Sequence, residues 1–275
     1  MITLKGNQLK RMSICFILFL LRCVGWAQDN GYLANRIKPG DLMYLDGQGN
    51  ECFVDFHQWD QDAPLGTLIG VVFYSYYGVE PYAVTDQPGW HGWVVEINES
   101  AKVAWAPQNT VCYTNCVANY QVEGIDTPYN PNRDQLDLAW ADTSGWQNTY
   151  RFLEYLYTAQ HKTLSASTSP AFYYLFSTKN GVTDFSVKPP MHRTSWFMPS
   201  YGQVRMLYSQ VGCVNSALKA CGGTLFETSH SWYSSTEIGT VNKQAVWSVT
   251  GYGYSNTDPG WLKSQERNVR AVRIF

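Results

Sequence analysis

The sequence predicts an α+β fold, loop-rich and weighted toward strands. Three observations carry this. Charged residues make up only 15% of the 275, while Trp, Tyr and Gly number 11, 19 and 22, a balance foreign to a helical bundle. Leu68 to Tyr77 and His91 to Ile97 are short runs of β-branched and aromatic residues bounded by turn residues. Only two segments show apolar residues at helical spacing.

The first 27 residues form a separate unit. Lys5, Lys10 and Arg11 precede an apolar run from Met12 to Leu21, and Gly25 and Ala27 supply small residues before a cleavage point. This is the layout of a secretory leader, cut after Ala27. A membrane span needs about 20 apolar residues, and Arg22 ends this run at ten. Cleavage leaves 248 residues with 16 basic against 22 acidic side chains, a net charge of −6. That surface is wrong for phosphate-led nucleic-acid binding. No later segment is apolar enough to span a membrane. The expected location is extracellular, on the cell surface or in the periplasm.

Residues 28–39 read as a polar lead-in, and 40–275 as one domain without repeat or linker. Asp41 to Leu45 is a strand turned by Asp46 to Asn50. Leu68 to Tyr77 and His91 to Ile97 follow, with Lys102 to Ala106 expected as the hairpin partner of the latter. Pro107 to Asn132 reads as a long loop. Trp146 to Gln160 is the clearest helix, through Phe152, Leu153, Leu156 and Tyr157. Ala171 to Phe176 is a short helix or strand. Ser200 caps a second main helix running to Gln210. Strands at Ser231 to Ser234, Ala245 to Thr250 and Val269 to Phe275 close the chain.

Five cysteines survive cleavage, in a compartment that permits disulfides. Cys112 can pair locally with Cys116. Cys213 and Cys221 can pair only if the chain folds back between them, because eight residues of straight helix rise about 12 Å. No His and Cys spacing suits a metal.

Several segments, in order, resemble bacterial surface domains of the collagen-like-adhesin C-terminal (major paralogous domain) type. They are Gly70 to Tyr74, His91 to Val95 with Trp105, Gly145 to Thr149, Trp196 to Ser200, Trp232 to Glu237, Ala245 to Trp247, Lys263, and Val269 to Phe275. The resemblance implies a C-type-lectin-like fold: mixed or antiparallel sheets flanked by two main helices, with the chain ends paired. It also implies a non-enzymatic binding or adhesion module for a glycan or protein, without a cofactor. The Glu-Pro-Asn and Trp-Asn-Asp signatures of calcium-dependent sugar binding are absent, and only Asn256 and Asp258 hint at oxygen ligands.

Two other functions stay open: a structural subunit of a fimbria-like assembly, and a cysteine hydrolase using Cys52 and His91. Trp90 and Trp261, both beside Pro-Gly turns, are the expected exposed anchors. Trp196, Ser235, Glu237, Arg270 and Arg273 are expected to be structural, with Glu237 paired to Arg270 or Arg273.

Overall fold

The computed structural model describes residues 36–62, 65–78, 89–100, 102–115, 139–227, 229–238, 244–250 and 261–275. The segment read as a secretory leader, Cys116, Asn256 and Asp258 lie outside them. Lys38–Phe275 forms one compact unit.

Its frame is a five-stranded antiparallel sheet. The strands are β1 (Leu42–Leu45), β2 (Glu51–Val54), β3 (Thr67–Gly78), β4 (Gly89–Glu96) and, from the chain end, β10 (Val272–Ile274). Their order is β10-β4-β3-β1-β2. The β1–β2 turn is built by Asp46, whose carboxylate accepts from the backbone N–H of Gln48 and Asn50 and from the Asn50 side chain. Such short polar side chains satisfy turn amides that no strand neighbour can reach.

Between β4 and β10 lie β5 (Val103–Ala104), α1 (Val111–Thr114), α2 (Gly145–Glu154), α3 (Pro170–Tyr174), α4 (Tyr201–Ser209), α5 (Val211–Ala220), β6 (Ser231–Glu237), β7 (Ala245–Thr250), β8 (Trp261–Leu262) and β9 (Glu266–Arg267). Helices α2 and α3 each run on into a π-helical turn, Tyr155–Ala159 and Leu175–Lys179. Strands β6, β7 and β8 form a three-stranded sheet, and β5 pairs with β9.

Both faces of the large sheet are buried. Leu42, Val71, Phe73, Val95 and Val272 pack against Leu207 of α4 and Val214 and Leu218 of α5. Met43, Val72 and Val94 alternate with these residues, so they point to the opposite face, and they are equally sealed from solvent. The sheet covers that face by rolling on itself. In a flat five-stranded sheet the outer strands would stand about 19 Å apart. Here β10 and β2 touch: the rings of Phe275 and Phe53 are 4.8 Å apart, and Arg273 pairs with Glu51 at 2.6 Å.

A second core joins α2 and α3 to β5 and β6. Trp105 packs edge-on against Phe152 and Phe172, with ring centroids 5.6 and 5.0 Å away, and Phe152 stacks on Phe172. Burying each large apolar side chain of this kind is worth about 1.5–3 kcal/mol.

The α+β class, the strands at β1, β3, β4, β6 and β7, and the helices at α2 and α4 follow the sequence reading. The last strand lies against β4, with Val272 opposite Val95. One pairing differs. Lys102 to Ala106 does not return along β4; its β5 portion pairs with β9. The β4 edge is already taken by the chain end, since Glu96 N–H donates to the Ala271 carbonyl and Ser100 N–H to the Val269 carbonyl. Five elements have no counterpart in that reading: the edge strand β2, the short helix α1 inside the segment read as a loop, helix α5, which follows α4 after the single residue Gln210, and the two-residue strands β8 and β9.

Candidate functional site: an aromatic ribbon

Strands β3 and β4 outrun their neighbours. Strand β1 pairs with β3 through Thr67–Val71, and β10 meets β4 at Trp93–Val95, with Phe275 also bonded to Gly92. Beyond those points, among the described residues, the strand pairing of Ser75–Gly78 is with Gly89–Gly92 alone. A two-stranded ribbon is marginal in water by itself. This one is held by aromatic pairs in direct cross-strand register: Tyr74 opposite Trp93, Tyr76 opposite His91 and Tyr77 opposite Trp90. Their ring centroids lie 4.7, 5.5 and 5.6 Å apart. Cross-strand aromatic pairs each add roughly 0.2–1 kcal/mol.

The base of the ribbon is fixed to the domain. A Cβ on Gly92 would lie 2.0 Å from the Tyr74 carbonyl and 2.7 Å from the Phe275 ring, so only glycine lets the chain end close there. Arg193 bonds both the Phe275 carbonyl, at 3.3 Å, and His91 Nδ1, at 3.2 Å. A guanidinium only donates, so Nδ1 is the acceptor in this contact. At the far end Tyr77 is 62% exposed and meets half-buried Trp90 edge-on at 67°.

Trp90, expected in a turn, thus stands on β4 beside an exposed tyrosine that the sequence reading did not single out. Trp261 also differs, since its backbone begins β8, opposite Val246. No hydrogen bond joins His91 to Cys52. His91 belongs to the ribbon, whereas Cys52 packs into the core between the sheet and α5.

The motif residues at Gly145–Thr149, Pro199–Ser200 and Ser235–Thr236 converge on one buried polar hub. Asp142 accepts from Ser144 N–H at 2.8 Å, Asn148 Nδ2 at 3.2 Å and Thr236 Oγ1 at 2.5 Å. Asn148 Nδ2 also donates to Ser235 Oγ, and Ser200 Oγ donates to the Asp142 carbonyl at 2.6 Å. Ser200 and Gln203 complete a capping box at the start of α4. The hub fastens α2, α4 and β6 together, and its members are almost wholly withdrawn from solvent. Their hydroxyls and carboxylate are consumed by one another and by backbone.

Glu237 does not pair with Arg270 or Arg273. Its partner is Lys263, and both side chains are fully buried. Lys263 Nζ also donates to the Cys112 and Asn115 carbonyls, at 2.9 and 2.7 Å, and lies 4.6 Å above the Trp105 ring. Arg270 points elsewhere, donating to the Ile97 and Thr224 carbonyls beside the Phe226 ring. Its burial pushes the guanidinium pKa down to about 10. Arg273 is held across the roll by Glu51. Trp196 is half-buried, its backbone clasped by the Asn180 side chain.

Cys213 and Cys221 stand at the two ends of α5 and are both free thiols, because the straight helix keeps them apart. Burial pushes both thiols up, and pushes Cys112 up to about 12. Among the described residues, no cluster of three or more His, Cys, Asp or Glu side chains could hold a metal ion. No helix among them is long and apolar enough to cross a membrane.

No family model and no curated protein matches the chain. Among solved structures, its fold is similar to that of a fimbrial protein from Bacteroides ovatus, with a TM-score of 0.55 and 17% sequence identity. The match covers 86% of this chain and 48% of that one, so the chain spans about half the length of the structure it resembles. At this identity the likeness is one of fold.

Proposed function

We propose that this chain is a structural subunit of a fimbria-like surface assembly, exported and built on a C-type-lectin-like frame. The observation that carries the reading is the fold likeness to a fimbrial protein over 86% of the chain. The leader-like segment at residues 1–27 supports export. The C-type-lectin-like frame is supported by the last strand lying against β4, among strands from the first third of the chain. Burial of the motif hydroxyls and carboxylates in a closed hub favours a building block over a hydrolase.

The test is chemical cross-linking on intact cells, followed by shearing of surface appendages. A subunit gives a ladder of higher-mass species in the sheared fraction, with partner proteins identifiable by mass spectrometry. Recovery of this chain as a monomer alone, absent from the sheared fraction, contradicts the reading.

A further inference from the structure

We infer that the corner between Tyr77 and Trp90, at the far end of the described aromatic ribbon, is a stacking site for a neutral pyranose ring. The corner's geometry comes first. Two rings meet at 67° with centroids 5.6 Å apart, and the outer one, Tyr77, is 62% exposed. A sugar ring laid on one aromatic face has its rim against the other, with C–H bonds directed at π-electrons. Both side chains also carry polar ends, a phenolic hydroxyl and an indole N–H, suited to sugar hydroxyls.

Charge and size select the class of ligand. The strand segments Tyr74–Gly78 and Gly89–Trp93 contain no Asp, Glu, Lys or Arg. Arg193, which reaches His91, is engaged there and at the Phe275 carbonyl, and an uncharged, hydroxyl-rich ligand complements the two aromatic side chains of the corner. A protein partner needs about 800 Å² per side, spread over some 20–30 residues, whereas the corner offers two side chains. The strand-end glycines add room: a Cβ on Gly78 or Gly89 would rest at 3.6–3.7 Å on the rings of Tyr76 and His91, so their absence leaves that end slim. The site uses no calcium-dependent sugar motif and does not depend on the assembly reading.

The experiment is saturation-transfer NMR on the full mature protein, with maltohexaose, cellohexaose, lacto-N-neotetraose and 3′-sialyllactose as probes. Transfer to pyranose C–H protons is expected for at least one of the three neutral sugars. Tyr77→Ala and Trp90→Ala should each weaken it, and together by at least about tenfold. Trp90→Tyr keeps an aromatic wall and should retain binding, which separates loss of stacking from loss of folding. Three results overturn the site: no transfer from any neutral sugar at millimolar concentration, transfer only from 3′-sialyllactose, or binding unchanged in the double alanine variant. A change of sedimentation in the alanine variants without a change in sugar binding would assign the corner to a protein contact instead.

Discussion

Arg273 and Glu51 meet at 2.6 Å although they sit on the two outermost strands of a five-stranded sheet. In strand register Arg273 lies opposite Val94 and Glu51 opposite Leu45. These pairs share a face with Met43 and Val72, so the ion pair closes the mouth of an apolar trough. The rolled sheet needs no second layer on that side. It also leaves the β3–β4 ribbon as the part of the frame that projects past its neighbours. The closure is mainly apolar, since the pair itself is partly exposed and such pairs contribute little.

Lys263 is a different case. Replacing it with Met would take the Lys263 charge from buried Glu237 and would free two carbonyls at the end of α1. Breaking a buried pair from one side costs about 3–5 kcal/mol. Lys263→Met should therefore lower the urea midpoint sharply, and Lys263→Met with Glu237→Leu should recover part of the loss. A single variant as stable as the parent would show that the pair carries no such weight.

The polar hub has its own signature. Thr236 Oγ1 donates to Asp142 and accepts from the Tyr201 N–H at the start of α4. Thr236→Val keeps the shape and removes both bonds, taking one donor from an Asp142 oxygen that keeps Asn148 and removing the hydroxyl acceptor of the Tyr201 N–H. About 1–3 kcal/mol should be lost per unsatisfied group. Thr236→Ser, which keeps the hydroxyl, should lose less. Thermal melts of the two variants separate the hydroxyl's part from that of the methyl.

Acid should loosen the first hairpin before the rest. The Lys38 side chain, the His57 N–H and the charge of Lys38 hold the Asp55 carboxyl below its ordinary value, and Asn50 does the same for Asp46. A carboxyl with a depressed folded-state pKa stabilises the fold above its unfolded pKa, and that contribution disappears as pH falls through the folded value. The window lies below about pH 4. The protection factors of the Gly49, Asn50 and His57 amides, taken against the intrinsic exchange rate at each pH, should fall there, and Asp46→Asn should remove much of the pH dependence at Asn50. Protection factors flat from pH 6 to pH 2.5 would contradict this.

Local pattern made β3, β4, α2 and the Ser200 cap readable, because each is decided within about ten residues by side-chain type and period. The roll of the sheet was not readable. It depends on Phe53 meeting Phe275, and nothing near either residue encodes that contact. Glu237 shows the same limit: its partner lies 26 residues on, in a polar turn, while the arginines of the last strand seemed the natural choice. Helix α5 was hidden because it follows α4 after one residue, Gln210, and has no side-chain cap. The ribbon was half visible. Trp90 stood out by its Pro-Gly context, but Tyr77 gains meaning only once the register places it opposite.

The chain end should be indispensable. Removing Val269–Phe275 deletes Val269, Ala271, Val272 and Phe275, all buried, at about 1.5–3 kcal/mol for each larger side chain. It also strips β4 of its outer neighbour. Glu96 would lose the Ala271 N–H that its buried carboxylate accepts at 2.6 Å, and the Phe197 backbone would lose both bonds to Val272. Buried groups left without partners add to the apolar loss. The sum rivals the whole stability of a typical domain, about 5–15 kcal/mol. A chain ending at Asn268 should therefore be recovered as aggregate, or as a soluble form lacking near-ultraviolet circular dichroism. Phe275→Ala, which leaves β10 in place but opens the contact with Phe53 and Gly92, should stay folded with a lower melting temperature. A truncated chain with an unchanged near-ultraviolet spectrum would mean that the sheet closes without its last strand.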